Sequence, residues 1–158
     1  MGGGNAGLEA VTDLLAYATE VHLLIRSEVL KGDPITQDIV KNSPKVKIIF
    51  NAVPQEVFGK EFVTGLKYND KTSGEIKELA VDGVFVEIGS LPNSDIVKDL
   101  VNLNVRGEIV VDHKTQQTSD PNIWAVGDVS DVLYKQNNIS AGDAVKAVLN
   151  IYDRLRKG

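Results

Sequence analysis

The chain has 158 residues, of which 42% are hydrophobic and 25% charged, an ordinary composition for a globular protein of one domain or a little more. Its 17 basic and 22 acidic side chains leave a formal charge of −5, and the basic residues form no stripe. This argues against a nucleic-acid or anionic-membrane surface. There is no cysteine and there are only two histidines, which excludes disulfides, thiolate metal sites and a cysteine nucleophile on this chain.

No apolar run approaches the ~18 residues of a membrane-spanning helix. The opening MGGGNAGLEA has neither a basic leader nor a small-residue cleavage site, so no signal peptide and a cytoplasmic location are expected. Leu8, Val11, Leu14 and Leu15 recur at helical spacing and predict an amphipathic helix over residues 5–18. Residues 20–26 (EVHLLIR) then read as a short buried strand. Asp33 and Pro34 supply an N-cap and a first helical position for a helix to about Lys41, and KVKIIF at 45–50 reads as another strand. Helix, strand, helix, strand predicts parallel βαβ architecture.

Residues 51–81 change character: three β-rich runs, with a turn-forming link at 69–74, predict an antiparallel meander. A second part begins near Asp82. There GVFVEI at 83–88 reads as a buried strand stopping at Gly89. Ser94 or Asp95 is placed to cap a short helix (IVKDLV), and strands are expected at 108–112 and 123–126. A last helix over about 140–155 carries Ala141, Ala144, Val145, Val148, Leu149 and Tyr152 as its apolar stripe.

Three constellations can carry chemistry. Gly2-Gly3-Gly4-Asn5-Ala6-Gly7 fits G-x-G-x-x-G and leads directly into a helix. Such a turn brings backbone close to a pyrophosphate and seats it on free helix N–H groups; a disordered glycine-rich start is the structural alternative. About 20 residues on, Arg26 and Lys31 are placed to neutralise a 2′-phosphate, which favours NADPH, unless both are simply solvated charges. Gly127 and Asp128 end an apolar run, where a carboxylate can accept from a cofactor hydroxyl; an ordinary strand-ending Gly-Asp turn is the commoner explanation of such a pair. Residues 134–142, with Gln136 and Asn137, lead into the last helix, whose positive end suits an electron-rich ring oxygen. Helix capping by Asn138 or Ser140 is the plain alternative. His22 and His113 have no partner at metal or triad spacing and read as structural or exposed. Asn138-Ile139-Ser140 matches a glycosylation sequon to which no meaning attaches in a chain without a secretion signal.

In this order and spacing the segments GGGNAGLEAVTDL, VFVEIGSLPN, RGEIVVD, NIWAVGDVSD and YKQNNISAGDAVKAVL resemble the thioredoxin-reductase-like pyridine nucleotide-disulfide oxidoreductases, the flavoprotein subunit of alkyl hydroperoxide reductase among them. The resemblance implies an α/β fold. Residues 1–82 would form a Rossmann-like NAD(P)-binding domain lacking its first strand, with the antiparallel meander. Residues 83–158 would form the C-terminal portion of a FAD-binding domain. Gly2, Gly4, Asn5 and Gly7 would then form the dinucleotide turn, and Glu9 matches a carboxylate early in its helix. Arg26 and Lys31 keep two of the four groups that NADPH-using members carry, so NADPH and NADH both stay open. Gly89 and Pro92 match the turn back to the flavin domain, Gly127 and Asp128 would hold the FAD ribityl chain, and Gln136 and Asn137 would lie at the flavin ring.

The resemblance also implies what stands outside these residues: a preceding FAD half, a Cys-x-x-Cys pair, and the strand that feeds Gly2. In a doubly wound sheet that strand is central. Its absence would leave two neighbours with unpaired edges, at ~1–3 kcal/mol for each buried unpaired group, against a whole domain's ~5–15 kcal/mol. The expectation is therefore a C-terminal portion of a larger flavoprotein. It would take a nicotinamide dinucleotide, would hold flavin only together with the N-terminal half, and would fill its gap with a partner or by strand exchange in a homodimer. The implied activity is hydride transfer from NAD(P)H to FAD and onward to a disulfide outside this chain, with the isolated chain inactive. A cysteine-independent flavin oxidoreductase of the ferredoxin–NADP reductase kind, an inactive assembly module and a dinucleotide sensor are the alternatives.

Overall fold

The computed structural model describes residues 1–157, and the chain divides into two compact units, Met1–Gly89 and Ser90–Gly158. The first unit opens with α1 (Asn5–Leu14) and β1 (Val21–Leu24), followed by α2 (Pro34–Asn42) and β2 (Val46–Ile49). β1 and β2 pair in parallel, Val21 opposite Val46 and Leu24 opposite Ile49, as the alternation of helix and strand demands. The α2 cap is as the sequence predicts: the Asp33 carboxylate accepts from Ile35 N at 2.9 Å and Thr36 N at 3.2 Å. Helix α1 is shorter than its periodicity. It tightens after Leu14, with Tyr17 and Ala18 both donating to the Leu14 carbonyl. Lys45 Nζ then closes the end, donating to the carbonyls of Leu15 and Ala18 at 2.8 and 3.0 Å.

The meander forms as β3 (Ala52–Gly59), β4 (Val63–Asp70) and β5 (Glu75–Ala80), in the order β3-β4-β5 and all antiparallel. Its first ladder slips between Pro54 and Glu56, because Pro54 has no N–H to give. Alternation along β1 sorts the core into layers. Val21, Leu23 and Ile25 pack with Leu8, Val11 and Val40 on the helical side; Leu24 packs with Ala52, Leu66 and Tyr68 on the meander side.

Residues 83–88 correct the sequence reading. They form no strand, and Phe85 and Val86 are 53% and 56% exposed. A strand is made by its neighbours, and here the neighbour is two residues long. Met1 and Gly2 stand in the place expected to be vacant: the Met1 amino group donates to Phe85 O at 2.6 Å and Glu87 N to Met1 O at 2.8 Å, while Gly2 N donates to Leu24 O at 3.1 Å. At this end of the gap both edges are thus paired.

The second unit has little regular structure before α3 (Asn137–Lys157). The strands expected at 108–112 and 123–126 reduce to single bridges, Leu103 with Ile109, Ile109 with Ser130, Asp112 with Gln117 and Gln117 with Trp124. The expected helix over IVKDLV is one 3₁₀ turn, Asp95–Val97, and Ser94 does not cap it, its hydroxyl donating instead to Gly107 O at 2.6 Å. Val101, Ile109, Val111 and Ala125 form a small core. In α3 the predicted apolar stripe lies outward: Val145, Val148, Leu149 and Tyr152 are exposed, while Asp143 and Ala147 are buried. Among the described residues, no helix is long and apolar enough to cross a membrane.

Leu8 is 0% exposed in the core between α1 and β1. Leu8→Ala is expected to destabilise the first unit by about 2–5 kcal/mol, transfer and cavity terms together, read as a lower urea midpoint at an unchanged slope.

Candidate nucleotide-binding site

The glycine turn is built so that backbone packs on backbone. Gly2 has φ +130°, and a Cβ there would run into the Glu87 carbonyl. A Cβ at Gly7 would run into the Gly2 carbonyl, and one at Gly3 would lie 2.9 Å from Ile25 Cγ2. Gly4, by contrast, has nothing within 4 Å; it is the N-cap of α1 and offers no side chain to the helix. The first N–H groups of α1 are therefore uncapped, which is what an anionic ligand requires at a helix start. The turn stands at the carboxyl end of β1, the end where parallel sheets bind ligands.

Asn5 does something the motif alone does not disclose. Its Oδ1 accepts from Asp33 N at 2.7 Å, and Lys31 N donates to Gly3 O at 2.8 Å. The loop at 31–33 is thereby clamped against the glycine turn, and Gly32 lies so close that a Cβ would meet Leu8 Cδ1 and Asn5 Oδ1. Arg26 and Lys31 are exposed beside this turn, just past the end of β1, and Glu9 is exposed on the first turns of α1. The structure thus brings Gly2, Gly4, Asn5, Gly7, Arg26 and Lys31 to one place.

The other candidate residues belong to the second unit, apart from Gly89. That residue has φ +102° with open space around it, and ends the first unit. Gly127 and Asp128 lie in a 3₁₀ turn, Gly127–Val129. Gly127 has φ +76°, and a Cβ on it would be 3.2 Å from Ser140 Oγ, so this turn packs against the first turns of α3. Asp128, Gln136 and Asn137 are exposed, and Gln136 and Asn137 line a hollow at the start of α3 together with Lys135 and Asn138. Asn138 and Ser140 lie inside the helix, so neither is the cap; the Ser140 hydroxyl donates back to Gln136 O at 3.1 Å.

Lys135 carries this second cluster, and sequence reasoning gave it no role. Its Nζ donates to Asp128 O at 3.0 Å and Ser130 O at 2.5 Å, and pairs with Glu108 at 3.0 Å. One ammonium thus ties the Gly127–Asp128 turn to the approach to α3. No local signal marks it, since Glu108 is far off in sequence. The Glu108 carboxyl is held below its ordinary range, first by the Asn104 amide and then by Lys135. Among the described residues no acidic and histidine cluster is arranged to hold a metal. His22 pairs with Glu20 at 2.7 Å and His113 with Asp131 at 3.6 Å.

Comparisons with known proteins bear on the family and the fold. Residues 1–147 match the family model described as pyridine nucleotide-disulphide oxidoreductase, and the chain belongs to that family. It is 44% identical to a subunit of alkyl hydroperoxide reductase in Pseudomonas putida over 98% of its own length and 30% of that protein. The same component in Staphylococcus aureus gives 44% over 97% and 30%. Among solved structures, Lactococcus lactis thioredoxin reductase superposes with a TM-score of 0.83 at 28% identity, covering 99% of this chain and 52% of that one. The T. acidophilum thioredoxin reductase gives 0.79 at 35%, covering 97% and 50%. The fold is therefore the α/β fold of thioredoxin reductases, and the chain spans about a third of the curated relatives and about half of the solved ones.

Two outcomes test the geometry. Gly7→Ala forces α1 away from the Gly2 carbonyl and should cost about 1–3 kcal/mol, whereas Gly4→Ala, with free space for its Cβ, should cost under about 1 kcal/mol; urea unfolding reads both. Glu108, depressed in the folded state, stabilises the second unit above the usual glutamate range and ceases to do so as pH falls through its folded value. Thermal unfolding from neutral to acid pH should show that acid limb, and Glu108→Gln should flatten it.

Proposed function

We propose that the chain is the nucleotide-handling portion of an NAD(P)H-dependent flavoprotein disulfide reductase. In this reading residues 1–82 bind the nicotinamide dinucleotide and residues 83–158 contribute the C-terminal portion of a FAD site. One observation carries it: at the carboxyl end of a parallel strand, Gly2 and Gly7 exclude side chains so that the uncapped N–H groups of α1 stay open. That is the fit a pyrophosphate needs.

The residues divide the work. Gly2, Gly4, Asn5 and Gly7 hold the turn, the α1 N–H groups take the pyrophosphate, and Arg26 and Lys31 supply positive charge at the adenosine ribose. Gly127 and Asp128 would hold the flavin's ribityl chain, the Asp128 carboxylate as an acceptor for its hydroxyls, and Gln136 and Asn137 would serve its ring from the start of α3. A flavin held there would supply two-electron chemistry between the nicotinamide and a disulfide, NAD(P)H and a proton being consumed for each dithiol formed. With no cysteine in the sequence, that disulfide lies on another segment or another protein, and this chain contributes orientation and electrostatics.

Titration of NADH and NADPH by fluorescence tests the reading. Binding of at least one with a Kd below about 1 mM is expected, with Arg26→Ala weakening NADPH more than NADH. Both Kd values above that limit would overturn the dinucleotide site. After incubation with FAD and desalting the protein should be colourless, with NAD(P)H oxidation no faster than with free flavin. Stoichiometric retention would overturn the idea that the flavin site needs residues beyond this chain.

A further inference from the structure

The meander does more than cover the sheet: its β4–β5 turn is tied to the residues that follow β1. Asn51 makes the tie. It stands between β2 and β3 with φ +55°, a left-handed conformation that asparagine tolerates better than most residues. Its N–H donates to Ser27 O at 3.2 Å and its carbonyl accepts from Lys71 N at 2.9 Å, while Ala52 N donates to Ile25 O at 2.9 Å. All three are main-chain bonds, so the position of Lys71 follows from how the backbone is laid down. From there its side chain reaches back to β1, and Nζ donates to Arg26 O at 3.4 Å. The neighbouring carboxylates are already engaged. Asp70 pairs with Lys77 at 2.5 Å and accepts from Thr72 N at 2.9 Å, which together lower its pKa to about 2; Asp33 caps α2. Lys47, Lys67 and Lys77 each pair with a carboxylate. Among the described residues Arg26, Lys31 and Lys71 pair with none, and all three are exposed.

We propose that Lys71 is a specificity-determining residue of the dinucleotide site, completing with Arg26 and Lys31 a cationic patch that selects a ribose bearing a 2′-phosphate, so that the chain takes NADPH in preference to NADH. The inference rests on the dinucleotide reading given above and adds to it a choice of cofactor. Charge balance carries the first part of the argument. A phosphomonoester holds a charge of about −1.5 to −2 near neutral pH. Arg26 and Lys31 share their loop with the exposed Glu28, which leaves one positive charge between them; Lys71 raises this to two. In a chain whose formal charge is −5, such a local excess of cations departs from the average surface. Hydrogen bonding carries the second part. The Lys71 ammonium has three N–H groups and spends one on Arg26 O, so two remain for phosphate oxygens. The third part concerns the competitor. Ile25 follows β1 at the position from which a carboxylate takes the ribose hydroxyls of NADH. It is apolar and only 2% exposed, and it offers that ribose no acceptor side chain.

The full chain is titrated with NADPH and NADH by nicotinamide fluorescence and with adenosine 2′,5′-bisphosphate by calorimetry. NADPH should bind at least about 10-fold tighter than NADH. Lys71→Met keeps the stem and removes the charge. It should weaken NADPH and the bisphosphate by about 5–10-fold while moving NADH by less than about twofold. Lys71→Arg should retain the preference. Lys60→Met removes one exposed charge from the β3–β4 turn, at the opposite end of the meander, and should leave all three affinities unchanged. Since Lys71 is exposed, the urea midpoint of Lys71→Met should match that of the unaltered chain, which separates lost recognition from lost folding. Tighter binding of NADH than of NADPH, an equal loss of both in Lys71→Met, no loss of either, or the same loss in Lys60→Met would each overturn the role of Lys71 and leave the dinucleotide site standing. A Kd above about 1 mM for both dinucleotides in the unaltered chain would overturn the site itself, and this inference with it.

Discussion

Everything in the first unit depends on two residues of backbone held between neighbours on both sides. Met1 and Gly2 bond Phe85, Glu87 and Leu24, and this fixes where the chain enters the glycine turn. Gly2 has φ +130° and the Glu87 carbonyl leaves no room there for a side chain, and the Gly2 carbonyl in turn leaves none at Gly7. Helix α1 can then approach close enough for Leu8 and Val11 to pack on Leu23 and Ile25. Apolar burial supplies the driving force, but its geometry is set by main-chain contacts that tolerate only glycine. The uncapped start of α1 follows from the same arrangement, because the residue at the cap, Gly4, has no polar side chain to turn inward.

The second unit solves a different problem. Its hydrophobic core is small, and its chain runs mostly without ladders. Side chains replace the missing sheet: Ser94 reaches Gly107, Asn104 holds Glu108, Asp131 takes the Val111 N–H, and Lys135 gathers Asp128, Ser130 and Glu108. Bonds of this kind satisfy backbone groups that would otherwise be left without partners. They also place the Gly127–Asp128 turn beside the start of α3 with no regular element between them. The cost is sensitivity to charge, since a clamp made of one ammonium and one carboxylate weakens when either is neutralised.

What was legible in the sequence is what is decided locally. The Asp33-Pro34 start of α2, the turn between β4 and β5 and the glycine turn are each written in a few adjacent residues, and each forms as read. The strands at 83–88, 108–112 and 123–126 have strand composition without strand structure, because pairing belongs to two segments and a single run carries only half of it. The apolar face of α3 shows a second limit. Periodicity tells which residues share a face, but not which face is covered. The covered side holds Asp143, paired with Lys146, and Ala147, with Asn150 accepting from Trp124 Nε1. Lys135 was invisible for a third reason: its partners are mostly backbone carbonyls, which every residue has.

The 85–87 segment and the glycine turn are not independent features of the first unit. Met1 joins them: it bonds Phe85 and Glu87, and the residue after it opens the turn. Ordering Met1 orders Gly2, and Gly2 carries the surface on which α1 is seated. The geometry of the glycine turn is therefore tied to the 85–87 segment through one continuous stretch of main chain.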